Sequence, residues 1–370
     1  MKKFDRDRLL LGVAGPALAL VVAFLLTAVV LLLSGNSPFE PFRLMFDNAQ
    51  YVDVQVLIVN QTGTYYLAAL AVAVGFRMNL FNIGVDGQYR LAAMIAAVVG
   101  ASVTLPGPLH VLLILVTAMA VGAFWSGIAG LLKTLRGVSE VVSTIMLNAI
   151  ATSLIAWLIL TDNFGVQPAG SNDLNTGEIA SSGWFPGLDA GDGGTIYGFT
   201  FVAFALGVVY WFTLGRTRFG FDLRATGASE SAARASGVDA KRMVLTAMLI
   251  SGAVAGLVGM PILLGQSHTY NLSFPAGVGF MGITVALLGR NNPVGMFFAA
   301  LLMSFLEKTS ASLDQYGYPQ EIAMIMQGLI VISVVVSYEL VRQYGLRRQQ
   351  QRVGEELAAQ ARENREGAAA

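Results

Sequence analysis

The sequence predicts an all-α, polytopic membrane protein with about ten transmembrane spans. Three observations carry that reading: 55% of the 370 residues are hydrophobic, only 12% are charged, and the mean hydropathy is +0.63. A typical soluble domain has about 25% charged residues. With 23 Lys and Arg against 23 Asp and Glu, the formal net charge is zero, which excludes a basic nucleic-acid binder or an acidic disordered chain. There is no cysteine and only two histidines, His110 and His268. Disulfide frameworks, thiol nucleophiles and cysteine-ligated metals are therefore impossible, and neither a metal site nor a cofactor is expected.

Residues 9–33 form the first apolar run. At about 1.5 Å per residue it can cross a ~30 Å hydrocarbon core, and it is longer than a signal-peptide core, so it reads as a retained helix. Further spans follow at 54–76, 81–103, 109–132, 139–160, 196–214, 243–264, 278–289, 293–309 and 321–341. The second holds Asn60, Gln61 and Thr62, and the eighth is short. Each reads as a broken or re-entrant helix, a form tolerated where backbone lines a cavity instead of lipid.

An even number of spans puts both termini on one side. All Lys and Arg except Arg43, Arg90 and Lys308 fall on that side, so the positive-inside rule makes it cytoplasmic. The longest loop on the other side, 161–195, carries Asp162, Asp173, Glu178, Asp189 and Asp192 and no basic residue. Its Gly, Asn, Asp and Ser content predicts an extracytoplasmic connection with little regular structure. Residues 1–344 thus form the transmembrane domain, and 345–370, rich in Arg, Gln, Glu and Ala, a solvated cytoplasmic tail.

The cytoplasmic loop 215–242 is the most informative stretch. Ser229 suits an N-cap, Glu230 the first turn, Ala232, Ala233 and Ala235 favour helix, and Gly237 stops it; Asp239 then caps the next span. The result is a short helix with a small-residue face. It is either a plain positive-inside loop or a docking element whose Ala and Gly allow close backbone approach. Among the spans, Asn60, Gln61, Ser143, Thr144 and Asn148 place neutral donors and acceptors among apolar residues. They suit a wet pathway for a polar, uncharged solute, and interhelical hydrogen bonding is the alternative for each. Asn82, Asp86 and Gln88 add two amides and a carboxylate at the start of the third span, with Arg90 one helical turn beyond Asp86. They read as part of an inner gate or as a local ion pair that orients the helix.

Two apparent motifs carry no chemistry. Gly277, Gly279 and Gly282 match a dinucleotide fingerprint by letter, yet follow no strand-like run, and Gly252 and Gly256 have helix-packing spacing. No Gly-Lys dipeptide occurs, so the chain has no phosphate loop of the Walker type. No catalytic constellation is present either, which weighs against an intramembrane enzyme. An ion-coupled secondary transporter, the remaining alternative, commonly needs deep ionisable groups that are scarce here.

Residues 224–239 (RATGASESAARASGVD) resemble the cytoplasmic coupling-helix segment of permease subunits of bacterial ABC importers, in the branch handling ribose-type sugars, branched-chain amino acids and nucleosides. Residues 81–88 (FNIGVDGQ) are similar to a signature of the nucleoside, simple-sugar-like permeases, with Asp86 where relatives more often have glutamate; residues 137–148 (GVSEVVSTIMLN) resemble their second signature. The resemblance implies a non-catalytic permease subunit in a bacterial inner membrane, translocating a nucleoside or related small polar solute, or else a simple sugar. It implies docking of a separate ABC ATPase subunit on Gly227, Ser229, Glu230, Ala233, Arg234 and Gly237. A second, homologous permease subunit, an extracytoplasmic substrate-binding lipoprotein and membrane lipid complete the implied partners.

Overall fold

The computed structural model describes residues 21–33, 35–168, 170–318, 324–329, 331–333, 336–337, 340 and 343–344. Part of the first expected span and the whole expected tail, 345–370, lie outside the described residues. The chain divides into two compact units, Met1–Met45 with Ser310–Ala370, and Phe46–Thr309. In the smaller unit, helix α1 (Val21–Leu33) sets Phe24 against Phe39 and Phe42, with ring centroids 5.7 and 4.9 Å apart, and Tyr318 donates to a Glu40 carboxylate oxygen at 2.8 Å. Helix α2 (Glu40–Asn48) crosses the boundary between the units.

The larger unit is built on α3 (Val52–Phe76), in which every residue from Thr62 to Gly75 is buried. Around it stand α4 (Val85–Ser102), α5 (Gly107–Arg136), α6 (Glu140–Leu158), α7 (Gly198–Arg216), α8 (Arg218–Ala228), α9 (Glu230–Ala235), α10 (Ala240–Gly256), α11 (Met260–Ile262), α12 (Val278–Leu288) and α13 (Pro293–Ser310). Five stretches are long and apolar enough to cross a membrane: α3, α5, α6, α7, and Ala240–Ser267, which joins α10 to α11 and a π-helical turn. Leu112, Val116 and Phe124 on α5, Met146, Ile150 and Trp157 on α6, and Val208 and Phe212 on α7 point outward. An apolar rim of this kind is what hydrocarbon covers.

Sequence and structure part company at the second span. The expected break around Asn60, Gln61 and Thr62 is absent, and α3 is one continuous helix of 25 residues. Its polar groups are satisfied without interrupting the ladder, because Thr62 donates back to the Ile58 carbonyl at 2.7 Å and Asn60 is held from outside the helix. The interruption lies in the seventh span. Pro261 has no N–H and crowds the carbonyl four residues earlier, and the chain turns at 257–259 before resuming as α11 and a π turn, Leu263–Ser267. The shortness expected of the eighth span is present: α12 has 11 residues, roughly 16 Å and about half a bilayer core.

Glycine sets the closest contacts. Gly122 of α5 meets Gly252 and Gly256 of α10 backbone to backbone, and a Cβ at any of the three would collide with main-chain atoms of the facing helix. Ser126 Oγ donates to the Met248 carbonyl at 2.7 Å beside the crossing, as expected for small residues spaced by four. The loop 161–195 holds more regular structure than its composition suggests: Gly165–Val166 pairs antiparallel with Asn175–Thr176, and Leu188–Asp189 with Thr195–Ile196. The loop is also fastened to the π-helical end of the seventh span, through Ile179 N–H to the His268 carbonyl at 2.9 Å and Phe185 N–H to the Leu264 carbonyl at 2.9 Å.

Candidate functional site

The polar residues singled out within the spans have distinct surroundings. Asn60 Nδ2 donates to the Thr195 carbonyl at 2.9 Å while its Oδ1 accepts from Tyr197 N–H at 2.8 Å, so the amide ties α3 to the loop that leads into α7. Asn82 and Gln88 form a reciprocal amide pair at 2.9 and 3.0 Å. Asn82 also donates to Ser251 Oγ at 2.9 Å, and Ser251 donates onward to the Ala71 carbonyl at 2.7 Å. All three side chains have no exposed surface, and they knit α3, α4 and α10 together. Asn148 Nδ2 donates to the Ile83 carbonyl at 2.9 Å and its Oδ1 accepts from Gly87 N–H at 2.8 Å, which staples α6 to the first turn of α4. Ser143 and Thr144 donate back to the carbonyls of Ser139 and Glu140.

Asp86 has a partner that sequence reasoning missed. Its carboxylate accepts from Gly277 N–H at 2.8 Å and Gly279 N–H at 3.2 Å, so it caps the N-terminus of α12 from a neighbouring helix. The expected Arg90 contact exists but is looser, at 4.0 Å. A carboxylate at a helix N-terminus meets unsatisfied N–H groups and the positive end of the dipole. The glycine spacing is the available signal: Gly277 adopts φ +84°, and Gly279 and Gly282 lie directly against Asp86 and Ala68. Gln61 differs from the rest. It is half-buried on α3, and its side chain makes no hydrogen bond among the described residues.

At the opposite side of the loop 161–195, His268 stacks on Trp184 with ring centroids 3.9 Å apart and an interplanar angle of 11°. Burial pushes the imidazole below its usual range, with Glu178 acting the other way. Tyr197 donates to Gln266 Oε1 at 2.7 Å on the same side.

The loop 215–242 forms two helices where one was expected. Helix α8 occupies 218–228, with Thr217 accepting from Gly220 N–H at 3.2 Å as its N-cap. Gly220 and Gly227 disfavour helix by about 1 kcal/mol each and hide α8 in the sequence. Both are required by close approach: Gly220 lies against the Thr213 and Leu214 carbonyls, and Gly227 against the backbone of Arg77 and Met78. The buried positions Gly220, Leu223 and Thr226 give the one periodic signal.

The second helix, α9, follows as expected, capped by Ser229, which accepts from Ala232 N–H at 3.3 Å. It ends in a double C-terminal bond, Gly237 N–H to the Arg234 carbonyl at 2.9 Å and Val238 N–H to the Ala233 carbonyl at 3.0 Å, with Gly237 at φ +84°. Asp239 caps α10 by accepting from Arg242 N–H at 3.1 Å. Of the residues expected to dock the ATPase, Ala233 is only 2% exposed and packs against its own chain. The outward side presents Ser229, Glu230, Ala232, Arg234 and Ala235, with Glu230 and Arg234 paired at 2.5 Å.

A bundle of apolar helices, glycine-packed at its centre and bearing a short capped helix on a basic loop, has the character of a multi-pass membrane protein. Residues 55–335 match the family of the branched-chain amino acid transport system / permease component, and the chain belongs to that family. The guanosine ABC transporter permease protein NupP of Bacillus subtilis is 34% identical over 335 residues, covering 88% of this chain and 93% of its own length. The nucleoside ABC transporter permease protein NupB of Lactococcus lactis is 32% identical, covering 87% of this chain and 90% of its own. The glucose ABC transporter permease protein TsgB13 of Haloferax volcanii is 29% identical, with 87% coverage of both.

Proposed function

We propose that this permease translocates a nucleoside, or a closely related small polar solute, across a bacterial inner membrane, driven by a separate ATPase subunit. The observation that carries the reading is similarity at 32–34% identity along most of the chain to permeases named for guanosine and nucleoside transport. In this reading ten spans leave both termini in the cytoplasm and residues 161–195 outside. Residues 1–344 are the transmembrane domain and 345–370 a cytoplasmic tail. The ATPase docks on the loop around Gly227, Ser229, Glu230, Arg234 and Gly237; a second, homologous permease forms the other half of the pathway, and an extracytoplasmic binding protein delivers the solute.

Within the pathway the roles divide. Gln61 is the amide with free hydrogen-bonding capacity, and faces the solute. Asn60, Asn82, Asp86, Gln88, Ser143, Thr144 and Asn148 hold the helices that shape the pathway, because their bonds are already made within the chain. The similarity to a glucose permease supports simple-sugar transport as the second reading. Uptake of radiolabelled guanosine and glucose, in cells with and without this gene, separates the two. Gene-dependent accumulation of guanosine is expected; gene-dependent glucose accumulation without guanosine overturns the nucleoside assignment.

A further inference from the structure

Between α3, α7, α8 and α10 lies an apolar cavity of about 190 Å³, lined among others by Leu70, Val74, Val209, Leu214, Phe219 and Val254. That is room for about six waters at ~30 Å³ each. The site gives them little to bind: Tyr210 donates to the Asn291 carbonyl at 3.1 Å, and Thr213 Oγ1 donates to the Tyr210 carbonyl at 3.1 Å. Apolar cavities of this kind stay dry. Val209 is 53% exposed, so the cavity opens sideways, on a helix that also turns Val208 and Phe212 outward. An apolar face of this kind on a spanning helix is one that hydrocarbon can cover.

The two arginines that follow the cavity on the chain supply a charge argument. Arg216 lies over the Trp211 ring, 5.6 Å from its centroid, and an exposed Arg–Trp pair suits the depth of lipid headgroups. Arg218 immediately precedes the lining residue Phe219, has a side chain 94% exposed, and meets Asp222 only at 3.9 Å. Apolar tails alone could come from any phospholipid. Two exposed guanidinium groups beside a lipid-facing groove select for negative charge. We propose that this groove binds an anionic phospholipid, a segment of one acyl chain in the cavity and the phosphate held by Arg216 and Arg218.

The test uses the full chain with its co-purifying subunits, reconstituted in nanodiscs of phosphatidylcholine containing a minority of phosphatidylglycerol. Lipids retained after detergent release are counted by native mass spectrometry. The wild type is expected to retain phosphatidylglycerol preferentially, and Arg216→Gln and Arg218→Gln to lower that preference about fivefold each. Val209→Trp, which fills the cavity from an exposed position, is expected to lower retention of both lipids. No preference in the wild type, an unchanged preference in both arginine variants, or unchanged retention in Val209→Trp overturns the proposal. So does crosslinking of a single Cys at Val209 to another subunit, which would mean that a protein helix covers the groove.

Discussion

Gln61 and Asn82 carry the same amide group in opposite surroundings, and the difference predicts opposite phenotypes. Asn82 is fully buried and bonded to Gln88 and Ser251. Asn82→Leu strands those partners without water, at about 1–3 kcal/mol for each unsatisfied group. The expected result is a lowered melting temperature and a lower membrane level of the permease, with uptake falling in proportion to protein present. The Gln61 side chain makes no hydrogen bond among the described residues, so Gln61→Leu removes no internal hydrogen bond. Its melting temperature should match the wild type while uptake per permease molecule falls. Fluorescence-detected size-exclusion melting, paired with uptake at matched membrane levels, reads both variants. A stable, fully active Gln61→Leu permease would take Gln61 out of the pathway.

For the helices, the outward residues of α9 and the α5–α10 crossing give the sharpest expectations. Ala235 points outward and Ala233 inward. Ala235→Trp should force a docked ATPase away, at an overpacking cost of about 1–3 kcal/mol, so co-purification of that subunit falls tenfold or more at the upper end. Ala233→Trp should instead damage the loop's own packing and lower the melting temperature of the isolated permease. Gly252→Leu must push α5 and α10 apart where Gly122 allows backbone contact. A loss of folded permease on size-exclusion chromatography is the expected outcome.

How much of this was legible followed from what kind of signal each element leaves. Long apolar runs announce themselves through length alone, and the caps at Ser229 and Asp239 are local enough to read from a few residues. Helix α8 was not legible, because Gly220 and Gly227 are explained only by the backbones they touch. The polar residues were recognised as important and their partners were not: Asp86 reaches Gly277 across 191 positions of sequence. No local pattern encodes such a pairing.

At the level of the whole molecule, the ten-span arrangement is tested most cleanly because the chain has no cysteine. Ser181 and Ser229 are both exposed and lie on opposite sides in that arrangement. A single Cys at Ser181 should react with an impermeant maleimide in intact cells, and one at Ser229 only after the membrane is opened. The reverse pattern inverts the topology. The glycine crossing of α5 and α10 adds a mechanical property to that arrangement. Packed helices slide when side chains at their contact change rotamer, and the backbone approach of Gly122 to Gly252 and Gly256 lacks that soft motion. The crossing at Gly252 is therefore expected to act as a fulcrum. Roughly 18 Å of helix runs from it toward Ala240, beside α9, and about 22 Å toward Ser267, under the acidic loop. The interruption at 257–259 falls on the second arm alone. A tilt applied next to α9 is therefore expected to bend the second arm, at the turn where Pro261 leaves the helical ladder one bond short.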